Sequence, residues 1–89
     1  MVKRVEISSE VLQHAIERAV EDLARRSCQP AETVRQMAQD GALFVPANNT
    51  RLARSRAAEL NRGMRLLREA LAGTPRAYWV KWYSDKEES

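Results

Sequence analysis

The sequence predicts a mainly α fold: three helices over roughly 9–28, 30–40 and 50–72, with short strands at Val2–Ser8 and Arg76–Tyr83 that pair as a ribbon, within the chain or across a dimer. Apolar residues recur at the helical period in three separate stretches, and those stretches are punctuated by Ser8-Ser9, Pro30, Asp40-Gly41, Asn48-Asn49-Thr50 and Gly73-Thr74-Pro75, residue types that start or stop helices. The two end segments instead alternate apolar with polar or aromatic residues, the two-residue period of a strand. Eighty-nine residues leave room for one domain, expected over 1–83 with a polar, flexible tail at 84–89.

Composition narrows the class. A hydrophobic fraction of 44% beside a charged fraction of 30% is that of a globular chain and excludes wholesale disorder. No apolar run approaches the ~18 residues that span a bilayer, and MVKRVEISSE lacks the apolar core of a signal peptide, so no membrane partner and a cytoplasmic location are expected. The single cysteine, Cys28, permits no internal disulfide. Arginine far outnumbers lysine and alanine is abundant, which points to a GC-rich coding genome of a bacterium or its phage. The net charge of +3 favours an acidic partner only weakly, and its distribution says more than its total.

In Val2–Ser8, Val5 and Ile7 alternate with Arg4 and Glu6. Ser8 or Ser9 then offers an N-cap, with Glu10 suited to the positive end of the helix dipole. Leu12, Ala15, Ile16, Ala19 and Leu23 make the apolar stripe of the first helix, with Val20 at its edge, and Glu21–Arg25 and Asp22–Arg26 are expected as ion pairs one turn apart. Pro30 opens a shorter helix whose apolar side is Val34, Met37 and Ala38, and Gly41 stops it. Leu43, Phe44 and Val45 are expected as a buried connector. The third helix carries Ala53, Ala57, Leu60, Met64, Leu67 and Leu71 on one side, and Gly63 inside it implies either a weak spot or close approach by a neighbour.

The positive surplus lies in that third helix: six arginines stand there against Glu59 and Glu69, and Arg51, Arg54, Arg62, Arg65 and Arg68 cluster away from the apolar stripe. Guanidinium groups spaced along a helix neutralise phosphates and release counterions, giving affinity without base preference. The alternative is a solvated face kept soluble by charge. In RAYWVKWY, alternation puts Tyr78, Val80 and Trp82 on one side of a strand and Trp79, Lys81 and Tyr83 on the other; the first set is expected in the core, and the second, with Arg76, at a partner or on nucleic acid. Both aromatic faces cannot be hidden in so small a monomer, so self-association is expected.

Two DNA-binding patterns can be compared with the spacing. Gly41–Asn49 is too long for the tight turn of a helix-turn-helix. The opening VKRVEISSEVLQHAIERAV is similar to that of ribbon-helix-helix repressors, which pair their strands across a dimer and lay them in the major groove. It departs in two ways: the first helix runs past the expected early turn, and Glu6 shares the exposed strand face with Arg4. No residue role is carried over from that resemblance.

Catalysis is not expected. His14 stands alone on the polar side of the first helix, Cys28 has no base near it in sequence, and neither a Gly-rich phosphate loop, a G-x-S-x-G elbow nor an H-E-x-x-H pair occurs. No metal and no cofactor are expected. The leading expectation is therefore a small, dimeric, nucleic-acid-binding regulatory protein that uses Arg51, Arg54, Arg62, Arg65 and Arg68 with Arg76, Trp79, Lys81 and Tyr83. The second is a protein-interaction module, an inhibitor or adaptor, that docks on an acidic protein surface through the C-terminal aromatics.

Overall fold

The computed structural model describes residues 8–85, which form four helices: α1 (Ser9–Ser27), α2 (Ala31–Asp40), α3 (Arg51–Leu71) and α4 (Ala77–Asp85). The expected strand at Val2–Ser8 lies almost wholly outside the described residues, and the same is true of 86–89 in the expected tail. The three predicted helices are present within a residue or two of their expected ends. The fourth replaces the expected C-terminal strand, so among the described residues there is no ribbon, and Ser84 and Asp85 belong to a helix.

Why that segment is a helix follows from which side chains it buries. Trp79, Val80 and Tyr83 are buried, Trp79 to 4% exposure, while Tyr78 and Trp82 remain 63% and 61% exposed. Positions i, i+1 and i+4 share one helical face, and i and i+4 on the far side put Tyr78 above Trp82. Core and surface are therefore exchanged relative to the expected strand, in which Tyr78 and Trp82 faced inward. Trp79 and Tyr83 meet edge to face with ring centroids 5.2 Å apart, a geometry available to aromatic side chains one turn apart.

α1 is the central element, packed against each of the other three helices, and α2 also packs on α3. Its Ala15, Ile16, Ala19, Val20 and Leu23 are all buried, so Val20, read as the edge of the stripe, belongs to the core. From α3 come Ala57, Leu60, Met64, Leu67 and Ala70. A Cβ added at Gly63 would sit 3.0 Å from Leu23 Cδ2, so the glycine gives α1 a close approach to α3.

The caps explain the helix limits. Ser8 Oγ accepts from Val11 N at 3.2 Å, and Thr50 Oγ1 accepts from Ala53 N at 3.1 Å. At the other ends, Gln29 N donates to Ala24 O, Ala42 N to Met37 O and Thr74 N to Glu69 O, the six-to-one bond that closes a helix through a left-handed residue. Two of those left-handed residues are glycines, Gly41 and Gly73; the third is Cys28, at φ 57°. A side chain there is strained, so Cys28→Gly is expected to raise the unfolding free energy by about 1 kcal/mol, read as a higher melting temperature by circular dichroism. An unchanged or lower melting temperature would show that the thiol makes a compensating contact.

The connector between α2 and α3 departs from expectation. Only Phe44 of Leu43-Phe44-Val45 packs against the core, while Leu43 and Val45 are exposed. The cause is Asn61, whose amide pairs with the Phe44 backbone as a strand partner would: Phe44 N donates to Asn61 Oδ1 at 2.7 Å, and Asn61 Nδ2 donates to Phe44 O at 3.0 Å. Fixing Phe44 inward turns its neighbours outward. Asn61→Ala removes both bonds and leaves part-buried backbone groups unmatched, so it is expected to cost about 1–3 kcal/mol of stability in chemical denaturation. A variant as stable as the parent would mean the connector is held by Phe44 packing alone.

Candidate nucleic-acid interface

Helical geometry places the third-helix arginines before any contact is considered. Residues 51, 54, 58, 62 and 65 follow one another at three- and four-residue steps, so Arg51, Arg54, Arg62 and Arg65 form a line about 21 Å long, with the small Ala58 between them. All four arginines are exposed, and none has a carboxylate within ion-pair distance among the described residues. The opposite side of the helix is committed to the core through Ala57, Leu60, Met64 and Leu67, which sets the direction of the arginine line.

Other arginines are occupied. Arg25 and Arg26 both reach Asp22, at 3.1 and 3.8 Å, so the expected pairing of Arg25 with Glu21 gives way to one with Asp22. Arg26 also lies 4.0 Å from Glu59, and Arg56 Nη2 donates to Arg26 O at 3.4 Å, contacts that tie the end of α1 to the first half of α3. Glu69, which shares the face of the arginine line, is held by Arg76: Nε and Nη2 donate to its two carboxylate oxygens at 3.1 and 3.4 Å. That hydrogen bonding keeps the Glu69 carboxyl below its ordinary pKa and lifts Arg76 above its own. The carboxylate is thus matched by a cation from outside α3.

Arg68 stands apart from the line. Its guanidinium occupies the space that a side chain on Gly41 would fill, which packs it over the end of α2. Gly41→Ala therefore faces both a left-handed backbone and a displaced arginine, and a loss of about 1–2 kcal/mol is expected in thermal or chemical unfolding. Beside this contact lies an open cavity of about 170 Å³, bordered by Ala38, Gly41, Ala42, Leu43, Met64, Arg65 and Arg68.

The C-terminal candidates divide. Trp79 and Tyr83, expected at a partner, are instead core residues with little surface left for contact: α4 packs on α1, and Tyr83 OH donates to Asp22 Oδ2 at 3.1 Å. Burial, then the Asp22 charge and that hydrogen bond, push the Tyr83 phenol up to about 12, against some relief from Arg26. Because the folded pKa lies above the unfolded value of about 10, this tyrosine contributes stability that is intact below pH 10 and is lost as pH rises toward 12. Lys81 is exposed and shares the outer face of α4 with Tyr78 and Trp82, two aromatics that a strand would turn inward. The helical period itself carries the signal for them: a four-residue step stacks Tyr78 with Trp82 and Trp79 with Tyr83, and packing on α1 selects the second pair for the core.

Among the described residues no helix is long and apolar enough to cross a membrane, and no group of three or more His, Cys, Asp or Glu is placed to hold a metal ion. His14 is half-buried in α1. No family model, curated protein or solved structure matches this chain.

Proposed function

We propose that this protein binds nucleic acid through phosphate contacts from Arg51, Arg54, Arg62 and Arg65, and that it serves as a small regulatory protein rather than an enzyme. The observation that carries this reading is the contrast among the arginines. Arg25, Arg26 and Arg76 are neutralised within the chain, whereas the four on the outer line of α3 are left without carboxylate partners among the described residues. A rigid helix that holds cations in a row loses little conformational freedom when it meets a polyanion. The contacts are with phosphate, so the expected affinity is tolerant of sequence.

Single alanine replacements test the reading. Loss of any one of the four arginines should weaken binding by a similar factor on unrelated sequences, and each should reduce the salt slope by about one. Losses concentrated in one arginine, with the others neutral, would fit a protein interface instead.

A protein-interaction module remains the second reading, and the exposed pair Tyr78 and Trp82 beside Lys81 favours it, since interface anchors draw on aromatic residues. The same pair now supplies the support for self-association that strand pairing was expected to give. Sedimentation at micromolar concentration is expected to show a dimer that Trp82→Ala weakens; a strict monomer over the whole concentration range would contradict it.

A further inference from the structure

Resting on the phosphate-binding reading, we propose that the nucleic acid is single-stranded and that one unstacked base enters the cavity beside Arg68. Arg65 belongs both to the exposed arginine line and to the border of this cavity, so a backbone tracking the line arrives at its mouth. The floor is Met64 and Ala38, each 1% exposed, and Leu43 forms a wall. At about 170 Å³ the space is small for a drug-sized ligand and suits a single planar ring. Arg68, already packed over Gly41, offers a guanidinium plane of the kind on which bases stack.

Duplex bases are stacked and paired, so they cannot reach such a slot, whereas the bases of a single strand can be splayed out. Charge alone works the other way, because a single strand releases fewer counterions per contact than duplex DNA. Preference for the single strand would therefore report contact with a base. The side chains of the floor and wall carry no hydrogen-bonding group, so any discrimination among bases falls to the Arg65 and Arg68 guanidinium groups at the border.

The experiment is a set of anisotropy titrations at fixed salt with three labelled probes: an oligothymidylate, a duplex of the same length, and a strand of the same length whose sugars lack bases. The single strand should bind about tenfold more tightly than either of the others. Ala42→Trp, which fills the slot from an exposed position, should abolish that preference while leaving duplex binding in place; circular dichroism verifies its fold. Equal, salt-sensitive binding of all three probes would overturn the base slot and leave the arginine reading standing. Binding of none of them would overturn both.

Discussion

Replacing Leu67 with alanine is expected to lower the unfolding free energy by about 2–5 kcal/mol, enough to leave a domain of this size barely folded at room temperature. Leu67 is fully buried, on the side of α3 that meets the rest of the core, where it belongs to one cluster with Leu23, Val34, Met64 and Trp79. Truncation removes apolar surface from that cluster and leaves a cavity that helices anchored by their caps can close only in part. Leu52 is the control: one helix, the same substitution, but 79% exposure, so Leu52→Ala should change stability by less than about 0.5 kcal/mol. Urea denaturation of both variants gives the comparison, and equal midpoints would mean the two faces of α3 have been exchanged.

The second large effect concerns binding. Replacing Arg51, Arg54, Arg62 and Arg65 together with alanine should reduce affinity for random-sequence duplex by about four orders of magnitude at ~0.05 M salt, because four released counterions are lost at once. The fold should survive. These side chains are exposed and make no ion pair among the described residues, and alanine is the best helix former, so α3 gains in propensity. Circular dichroism and the urea midpoint separate loss of binding from loss of structure. A variant of unchanged fold and unchanged affinity would show that the arginine line is only a solvated surface.

Much of this architecture is legible in the sequence, and the exceptions have physical causes. α3 runs for 21 residues, so its apolar set repeats over several turns and only one periodicity fits; Ala57, Leu60, Met64 and Leu67 are buried as that period requires. Caps are local chemistry and are equally readable, as Ser8, Gly41 and Thr50 show. The aromatic segment is different. Over eight residues in which nearly every side chain is large, a two-residue and a 3.6-residue period both describe RAYWVKWY, and tertiary packing on α1 decides between them. The two-residue period sets Trp79 and Tyr83 toward a partner and Tyr78 and Trp82 in the core, and the helical period reverses both.

Contacts between distant residues are what sequence patterns lack. Nothing local announces that Asn61 will pair with the Phe44 backbone, that Arg76 will match Glu69, or that Arg68 will pack over Gly41. These three contacts reshape the candidate site. Arg76 is taken up by Glu69 and Arg68 packs over Gly41, which leaves Arg51, Arg54, Arg62 and Arg65 as the exposed line, with a small cavity beside it. The charge surplus was readable; its division between internal pairs and open surface depends on the fold.

The same dependence gives the alkaline limit of the domain a specific origin. Tyr83 can ionise only by giving up its hydrogen bond to Asp22 beside the negative charge of that residue, so stability should fall as pH rises between about 10 and 12. Tyr83→Phe removes the titrating group, and its urea midpoint should decline less over that interval than the parent's. Parallel declines would assign the alkaline loss to other groups.

The salt dependence of binding to random-sequence duplex tests the central claim most directly. With four arginines on phosphate, the logarithm of the association constant should fall linearly with the logarithm of salt concentration at a slope of about −3 to −4, and binding should be similar for unrelated sequences. Absence of binding at low salt by protein whose helical circular dichroism is intact would contradict the claim.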